Sequence, residues 1–253
     1  MAAGLPLGLD GRRMVVTGGT GFLGAAVVRA LLDAGASCDV TWHSDSEGRH
    51  LPPASDRLRL HRVDVTDEQE VAALYAGMND LWASVHLVGA FSAAPVADTS
   101  ADDFLSMFRT NALTAFLCCR EAVRAIRRSV ERAAGAGGEG GAGGGGNLRG
   151  GRIVNVGARP AVTPVGGMIA YSASKAAVAS VTQSLAEEVK AERILVNAVL
   201  PSIMDTGANR KAMPAANFDD WPKVEEVARS IAFLASPANA LTSGALVPVY
   251  GRA

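Results

Sequence analysis

A tyrosine and a lysine four residues apart, Tyr171 and Lys175, form a pair of side chains suited to proton transfer. They belong to the stretch YSASK (171–175), which begins a segment with helical spacing, so both side chains share one helix face. The phenol of a free tyrosine titrates at about pH 10, and a cation beside it lowers that pKa by favouring the phenolate. The pair therefore predicts acid–base chemistry in which Tyr171 exchanges the proton and Lys175 lowers the pKa of the phenol.

A glycine-rich turn near the start of the sequence has the composition of a phosphate-binding loop. The stretch TGGTGFLG (17–24) follows a short apolar strand and precedes a segment with helical spacing. Glycines keep such a turn tight and let backbone N–H groups approach a pyrophosphate, while the N-terminus of the helix adds partial positive charge. The stretch predicts dinucleotide binding by Thr17, Gly18, Gly19, Thr20, Gly21, Phe22, Leu23 and Gly24.

The end of the second predicted strand bears on which dinucleotide is bound. A carboxylate there would bond the adenosine ribose and favour NAD, but residues 40–44 read VTWHS, without an acid. Asp45 and Glu47 come slightly later, whereas His43 and Arg49 could meet a 2′-phosphate. We therefore expect NADP(H) to be favoured, with NAD(H) as the open alternative.

Both motifs lie in a regular alternation of predicted strands and helices. Strands are predicted at 14–17, 39–43, 58–63, 82–88, 152–156, 194–200 and 245–249, and helices at 22–32, 67–78, 101–134 (with a break near 106–108), 169–191 and 224–235. Thr66 is expected to cap the second helix. Asp64 and Val65, at the end of the third strand, are expected to contact adenine, with a helix-entry carboxylate as the alternative for Asp64. The alternation implies right-handed crossovers, and hence one α/β domain over 1–253 with a three-layer, doubly wound, Rossmann-type sheet of about seven parallel strands.

Composition excludes several classes of function. The 24 basic and 25 acidic residues nearly balance, which argues against a surface built for nucleic acid. Neither a signal peptide nor an 18-residue apolar run is visible, so we expect a soluble, cytoplasmic protein with no membrane partner. The four histidines lack ligand spacing, so no metal is expected. Eleven of the 28 glycines fall within 135–151, interpreted as a flexible insertion between a helix and a strand.

These motifs together resemble the short-chain dehydrogenase/reductase family over nearly the whole chain. The resemblance implies an NAD(P)(H)-dependent oxidoreductase in which Tyr171 and Lys175 are the catalytic pair and Asn111 supports a proton-relay water. It also implies cofactor contacts at Gly89, in VHLVG (85–89), and at Pro201, Ile203 and Thr206, which hold the nicotinamide carboxamide. A homodimer or homotetramer formed through the long helices 102–134 and 169–191 is implied as well.

Three features depart from the family pattern. The usual serine thirteen residues before the tyrosine is Ala158, and the usual asparagine pair after the fourth strand is His86-Leu87. The TGxxGxxG spacing of the glycine loop is similar to the extended branch, which includes sugar epimerases. The missing serine hydroxyl leaves three possibilities. The first is a loss of activity, which would make the protein a weak enzyme or a dinucleotide-binding regulator, and the second is that Thr163 supplies the hydroxyl. The third possibility is a substrate whose electrophile is a conjugated, imine-like system.

The third possibility is supported by a closer resemblance to the dihydropteridine reductase branch, which carries alanine at that serine position. The string from Asp205 to Trp221 resembles the substrate loop of that branch, although the branch also has the strand-end acid that this chain lacks. The substrate contacts expected from this resemblance are Ala158, Met168, Arg210 and Trp221. For Arg210 a surface salt bridge is the alternative, and for Trp221 it is packing. Cys118 and Cys119 are interpreted as packing residues.

Overall fold

The computed structural model describes residues 6–43, 51–52, 55–136 and 150–252. Most of the glycine-rich insertion predicted at 135–151 lies outside the described residues, as do Asp45, Glu47 and Arg49. Of that insertion, Gly135 belongs to a helix and Gly151 begins a strand.

Seven parallel strands form one sheet, which confirms the predicted fold class. The strands are β1 (Arg13–Thr17), β2 (Ser37–Trp42), β3 (Leu58–Arg62), β4 (Leu81–His86), β5 (Gly151–Val156), β6 (Ile194–Pro201) and β7 (Leu246–Val249). Their order in the sheet is β3-β2-β1-β4-β5-β6-β7, and every pair is parallel. The order reverses between β1 and β4, so the crevice where such folds bind ligands lies at the carboxyl ends of these two strands.

Helices cover both faces of the sheet. They are α1 (Phe22–Asp33), α2 (Glu68–Ala76), α3 (Ala101–Met107), α4 (Thr114–Ala136), α5 (Ile169–Glu188), α6 (Gly207–Ala212) and α7 (Val224–Leu234). One core packs α1 and α7 against one face of the sheet, with Val16 and Val40 fully buried. A second core packs α2, α4 and α5 against the opposite face, around Val15 and Ile153.

All three cysteines are buried in these cores. Cys38 belongs to the first core, and Cys118 and Cys119, on α4, belong to the second. Burial raises the pKa of the Cys38 and Cys119 thiols to about 12, and it also raises the pKa of Cys118. Thiols held protonated in a core act as small apolar groups, in keeping with their interpretation as packing residues.

The long helix predicted over 101–134 is interrupted by one π-helical segment, Phe108–Leu113, between α3 and α4. The break begins at Phe108, within the predicted interval. A π segment carries an extra residue per turn and often marks a functional position in a helix. Asn111 lies inside this segment and is 1% exposed.

The prediction that Thr66 caps the second helix is wrong. Asp67 is the cap, and its carboxylate accepts hydrogen bonds from the N–H groups of Gln69 (2.7 Å) and Glu70 (3.0 Å). The Thr66 hydroxyl instead donates to Asp64 Oδ1 at 2.7 Å. Asp67 stands one residue closer to the helix, where its side chain reaches the first free N–H groups.

Candidate active site

The glycine loop connects β1 to α1 at the switch point of the sheet. Gly18 has a φ of +68°, and a Cβ there would lie 3.0 Å from the backbone nitrogen of Val88. A Cβ on Gly19 would lie 2.6 Å from Val40 Cγ1, and one on Gly24 would lie 2.5 Å from Gly19 Cα. These three glycines are therefore required by the packing of the loop against β2, the segment that follows β4 and the first turn of α1.

Gly21 differs from its neighbours because the protein itself leaves room for a side chain there. It is the N-cap of α1, and the nearest atom to an added Cβ is Gly18 O at 3.7 Å. The first turn of α1 contains no acidic residue. The positive end of the helix is thus approachable at Gly21, as expected for a site that receives a phosphate group.

The other residues predicted for this loop lie at the end of β1, in the turn and at the start of α1. Thr17 and Thr20 are buried at 1% and 4% exposure, Leu23 is buried, and Phe22 is half exposed. The N–H of Gly18 donates to Thr41 Oγ1 on β2 at 3.2 Å. The loop is therefore anchored to the strand that precedes His43.

Asp64, Val65 and His43 lie beyond the ends of β2 and β3. Asp64 Oδ1 accepts hydrogen bonds from the N–H (2.9 Å) and the hydroxyl (2.7 Å) of Thr66. These bonds, with a smaller contribution from His43, lower the pKa of Asp64. Val65 is buried and His43 is exposed. The Asp64 carboxylate is held by hydrogen bonds within the turn 64–66, and His43 lies close enough to contribute to the lowering of its pKa.

Tyr171 and Lys175 lie in the first two turns of α5, below the end of β5. Lys175 is 5% exposed, and its Nζ donates to the carbonyl oxygen of Val156 at 2.9 Å. Burial lowers the pKa of Lys175 to about 8 and raises the pKa of Tyr171 to about 12. Without a cofactor, burial therefore moves the pKa of the phenol in the direction opposite to the predicted lowering.

Asn111 ties together the segments around the tyrosine and lysine. Its Oδ1 accepts from the N–H of Ala90 at 2.9 Å, and its Nδ2 donates to Ser174 Oγ at 2.9 Å and to Ala90 O at 3.1 Å. Ser174 in turn donates to the carbonyl oxygen of Tyr171 at 2.8 Å. The π-helical segment, the loop after β4 and α5 are therefore joined through one carboxamide.

Gly89 stands where these groups meet. A Cβ there would lie 2.7 Å from Asn111 Oδ1 and 3.0 Å from Lys175 Nζ. The structure thus brings together Gly89, Asn111 and Lys175, three residues that the sequence analysis selected separately.

Phe91 is a residue of this region that the sequence analysis missed. Its ring is 63% exposed and contacts the ring of Tyr171 edge to face, with centroids 5.0 Å apart and planes at 76°. Such an arrangement is favoured by the opposite charge of ring edges and faces. The available signal was an aromatic residue two positions after Gly89, in the loop that leaves a central strand.

The side chain of Ala158 is buried and carries no polar group. Ala158 follows the end of β5 in extended backbone and is 5% exposed. Thr163, considered as a substitute for the missing hydroxyl, is exposed and donates its N–H to Arg159 O at 3.0 Å. Met168 is the residue before α5 and pairs with Ala94 as an isolated bridge.

The segment after β6 carries the remaining predicted residues. Pro201 is buried at the end of β6, Ile203 is 41% exposed, and Thr206 caps α6 by accepting from the N–H of Asn209 at 3.2 Å. This cap gives Thr206 a structural role besides the predicted one.

Arg210 and Trp221 make contacts within that same segment. The guanidinium of Arg210 binds Asp205 through two hydrogen bonds, of 2.6 and 2.8 Å, and lies 4.8 Å from the centroid of the Phe218 ring. Trp221 is 6% exposed and packs 5.0 Å from Phe218, measured between centroids. The salt bridge and the packing are the alternatives that the sequence analysis left open for these two side chains.

A second feature missed from the sequence is a buried polar network under the site. His86, at the end of β4, has Nε2 at 2.8 Å from Ser84 Oγ and Nδ1 at 2.8 Å from Asn155 Oδ1. The network continues to the hydroxyl of Tyr75 (2.7 Å from Ser84 Oγ) and to Thr182 Oγ1 on α5 (2.9 Å from Asn155 Nδ2). Because an amide oxygen only accepts, Nδ1 of His86 carries the hydrogen. Burial lowers the pKa of His86 to about 4.

Comparison with known families assigns the chain to a class of proteins. The family described as short chain dehydrogenase matches residues 12–139 and 146–217. The chain belongs to the short-chain dehydrogenase/reductase family. The similar proteins described next are named dehydrogenases, and the chain is an oxidoreductase of this family.

Two bacterial relatives have the same extent as the chain. The cis-4-hydroxycyclohexanecarboxylate dehydrogenase of Sinomonas cyclohexanicum is 32% identical and covers 95% of this chain and 95% of its own. The galactitol 2-dehydrogenase of Rhizobium johnstonii is also 32% identical, over 95% of this chain and 94% of its own. A short-chain type dehydrogenase/reductase of Picea abies is 28% identical over 96% of this chain and 92% of its own.

Solved structures share the fold of this oxidoreductase. ElxO with NADP bound has a TM-score of 0.80 and 21% identity, covering 95% of this chain and 97% of that one. A short chain dehydrogenase/reductase family protein has a TM-score of 0.81 and 26% identity, covering 96% and 97%. Among the described residues, no helix has the length and apolarity needed to cross a membrane, and no cluster of histidine, cysteine and acidic residues could bind a metal ion.

Proposed function

We propose that this short-chain dehydrogenase/reductase transfers hydride between a nicotinamide dinucleotide and a small carbonyl or alcohol substrate, with Tyr171 as the acid/base. The observation that carries the proposal is the convergence of Gly89, Asn111 and Lys175 beside the first turns of α5, where Tyr171 lies. A polar, pre-arranged cluster of this kind next to a phosphate-binding turn suits hydride transfer coupled to proton transfer.

The residues present fit a dinucleotide. The N-terminus of α1 is approachable at Gly21, because this residue has no side chain and the protein leaves the space beside it open. This arrangement suits the pyrophosphate. Asp64 and Val65 are assigned to adenine, and Gly89, Pro201, Ile203 and Thr206 to the nicotinamide half. When bound, the dinucleotide supplies or accepts the hydride, and the protein contributes position and electrostatics.

Tyr171 is proposed to hold the proton that moves to or from the substrate oxygen. At neutral pH its raised pKa keeps the phenol protonated, ready to donate during reduction. Lys175, with its pKa lowered to about 8, is still mostly charged at pH 7 and favours the phenolate that forms when the proton leaves. Asn111 holds the loop after β4 against α5 and so keeps this geometry fixed, and it is assigned the relay water that returns the proton.

NADP(H) is the preferred form of the cofactor in this proposal. Residues 40–43, at the end of β2, contain no acid, and His43 lies near Asp64. The Arg62 guanidinium lies 5.5 Å from the centroid of the Trp42 ring, which adds positive charge beside the same strand end. The NADP named with ElxO points in the same direction, and NAD(H) stays the alternative.

The substrate side of the site favours an apolar or ring-shaped molecule. Phe91 presents an exposed ring beside Tyr171, and Ala158 offers no hydroxyl. Two similar proteins are named for a cyclic hydroxy acid and a sugar alcohol, so secondary alcohols and their ketones are the first class to test. The second candidate is a conjugated, imine-like, pteridine-type substrate, favoured by Ala158 because such an electrophile does not require that donor.

The test begins with titrations of NADPH and NADH by fluorescence. A panel of cyclic ketones, keto sugars, quinonoid dihydropterin and quinones then follows, with Tyr171→Phe as the variant. We expect tighter binding of NADPH and a loss of turnover in Tyr171→Phe of at least about 100-fold, the lower range for general acid–base catalysis. Unchanged turnover would overturn the role of Tyr171. Tight cofactor binding without turnover on any compound would favour a regulator, and epimerisation of a nucleotide sugar would favour the extended branch.

A homodimer or homotetramer is proposed through the outer faces of α4 and α5. Phe116 on α4 is 46% exposed, and a surface groove runs between the two helices. Small residues on α5, including Ser180 and Ser184, line this groove and permit close approach of another helix. Sedimentation velocity of the wild-type protein measures the oligomeric state directly.

A further inference from the structure

The loop between β6 and α7, residues 202–223 (the 202–223 loop), is closed at its base by backbone contacts. The N–H of Asp205 donates to the carbonyl oxygen of Pro222 at 2.9 Å, and Asp205 pairs with Lys223 as an isolated bridge. The loop carries Ile203 and Thr206, which the proposed function assigns to the cofactor. The position of this loop relative to the sheet therefore matters for the proposed site.

The segment that follows β7 consists of Tyr250, Gly251 and Arg252 (the 250–252 segment), and it forms a hydrogen bond with the first residue of this loop. Ser202, the first residue of the loop, donates its hydroxyl to the carbonyl oxygen of Tyr250 at 2.6 Å. The bond joins the end of β6 to the end of β7. It holds the arm of the loop that follows β6 (the first arm), immediately before Ile203; the second arm is the one that precedes α7.

The same segment also binds the other arm of the loop. The N–H of Arg252 donates to the carbonyl oxygen of Asp220 at 2.9 Å, and its guanidinium donates to the carbonyl oxygen of Asp219 at 3.0 Å. The Arg252 side chain is 76% exposed, and its ionic contact with Asp220 is long, at 3.7 Å. The backbone contacts, and not the surface charge pair, therefore dominate the attachment.

Gly251 lets the two backbones approach. Its φ is +65°, and a Cβ there would lie 2.7 Å from Asp220 O and 2.9 Å from the nitrogen of Pro222. A side chain at this position would thus meet backbone atoms that cannot move aside as a flexible side chain would. The contact between the 250–252 segment and the second arm of the loop is specific to glycine.

The ring of Tyr250 extends the attachment to a third element. The guanidinium of Arg159, the residue after Ala158, lies 5.2 Å from the centroid of this ring. Three chain segments that border the proposed site, after β5, after β6 and before α7, therefore all contact the 250–252 segment.

We propose that the 250–252 segment is a latch that fixes the position of the 202–223 loop, and that Tyr250, Gly251 and Arg252 are positioning residues for cofactor binding. The part concerning the cofactor rests on the proposed function. A loosened loop would spend part of its time displaced, and apparent affinity falls by the fraction of molecules that stay competent. The cofactor Kd and KM should rise while kcat at saturating cofactor changes little, because no latch residue is assigned to the reacting atoms.

The test compares Gly251→Ala with the matched control Gly244→Ala. Both glycines have left-handed backbone, with φ of +65° and +71°, so both substitutions introduce the same kind of backbone strain. A Cβ on Gly244 meets only Ala186 Cβ, at an ordinary 3.6 Å. We expect Gly251→Ala to raise the Kd and KM for NADPH by about tenfold and Gly244→Ala by less than about twofold.

A second readout does not depend on the cofactor. Trp221 lies in the 202–223 loop and is 6% exposed, so a displaced loop should expose it to acrylamide. The protein contains three tryptophans, and the same measurement in a Trp221→Phe background isolates the signal of Trp221. We expect stronger quenching of Trp221 in Gly251→Ala than in Gly244→Ala. If Gly251→Ala fails to fold, Ser202→Ala removes the 2.6 Å bond without backbone strain and should shift the Kd and the quenching in the same direction.

The outcomes separate the latch from the proposed function. Equal NADPH Kd and equal Trp221 quenching in Gly251→Ala and Gly244→Ala would overturn the latch. If the wild-type protein bound neither NADPH nor NADH, the proposed function would fail. In that case stronger quenching in Gly251→Ala would still support a latch on the loop, and unchanged quenching would reject it.

Discussion

The ammonium group of Lys175 donates a hydrogen bond to the carbonyl oxygen of Val156 at 2.9 Å, at the point where β5 ends. This bond fixes the cation at the centre of the proposed site, while burial lowers its pKa to about 8. The lysine is charged below pH 8 and loses its charge as the pH rises through that value. In the proposed function the cation favours the phenolate that forms when Tyr171 gives up its proton, so loss of the lysine charge should slow reduction.

We therefore predict that kcat/KM for reduction falls as the pH rises through about 8 in the wild-type protein. Lys175→Met should lower turnover by about 100-fold, the lower range for a group in acid–base catalysis, and should remove the inflection near pH 8. The measurement is the pH profile of both proteins, with thermal unfolding as the check on folding. An inflection near pH 8 that persists in Lys175→Met would assign it to another group.

Gly21 is predicted to be required by the ligand and not by the fold. A Cβ at Gly21 has its nearest neighbour at 3.7 Å, whereas one on Gly24 would lie 2.5 Å from Gly19 Cα. Gly21→Ala should keep the Tm close to that of the wild type and raise the Kd for NADPH at least about tenfold, because the methyl group would occupy the pyrophosphate position.

Gly77→Ala is the matched control, since Gly77 stands at the end of α2 and a Cβ there meets nothing within 4 Å. It should change neither the Tm nor the Kd appreciably. Equal Kd values for Gly21→Ala and Gly77→Ala would place the pyrophosphate elsewhere.

Ala158→Ser should distinguish a ketone substrate from an imine-like one. The substitution places a hydroxyl donor at the buried position after β5, which the proposed function puts on the substrate side of the site. Such a donor would stabilise the negative charge that develops on the oxygen of a carbonyl substrate. A single donor of this kind is worth roughly 100-fold in rate, so reduction of a ketone should accelerate by up to about that factor.

Ala161→Ser serves as the control, because it adds a hydroxyl in the same turn, at a half-buried position. A conjugated, imine-like substrate should gain little from Ala158→Ser. Equal effects of the two substitutions on ketone reduction would argue against a role for position 158.

His86 is predicted to make the fold sensitive to mild acid. Its pKa is about 4 in the folded protein against an ordinary value of 6.5, so between these pH values the unfolded chain binds a proton that the folded chain does not. The free energy of unfolding should therefore fall by up to about 3 kcal/mol as the pH drops from 6.5 to 4.

His86→Asn should be less stable at pH 7, because a shorter amide does not span Ser84 and Asn155, but its stability should depend less on pH in this range. Urea unfolding of both proteins at pH 7, 6 and 5 measures the difference. The same loss of stability with falling pH in both would show that other groups cause it.

The parts of the fold that follow from local pattern were predictable. All seven strands were predicted, and the central ones, such as β4 and β5, were predicted from apolar runs, because a parallel strand covered on both faces is apolar on both. The start of the break in the long helix also agreed with the sequence, since a break was expected near 106–108 and the π segment begins at Phe108. The cap of α2 was misplaced because Thr66 and Asp67 both favour caps, and only the backbone decides between them.

Features that depend on contacts between distant segments were not predictable. Phe91 and Tyr171 are 80 positions apart in the sequence, and the residues next to each of them do not indicate that the two rings are in contact. The network around His86 needs residues from α2, β4, β5 and α5 at once. The direction of the pKa change at Tyr171 depends on burial, which the sequence does not give.

Burial of Cys38, Cys118 and Cys119 has a practical consequence for experiments on this protein. Thiolates are the reactive form of cysteine, and these three thiols stay protonated and enclosed at neutral pH. A cysteine introduced at an exposed position such as Leu241, which is 91% exposed, would be the only thiol that a maleimide reaches rapidly in the native state. Site-specific fluorescent or spin labels can therefore be attached without first removing any native cysteine.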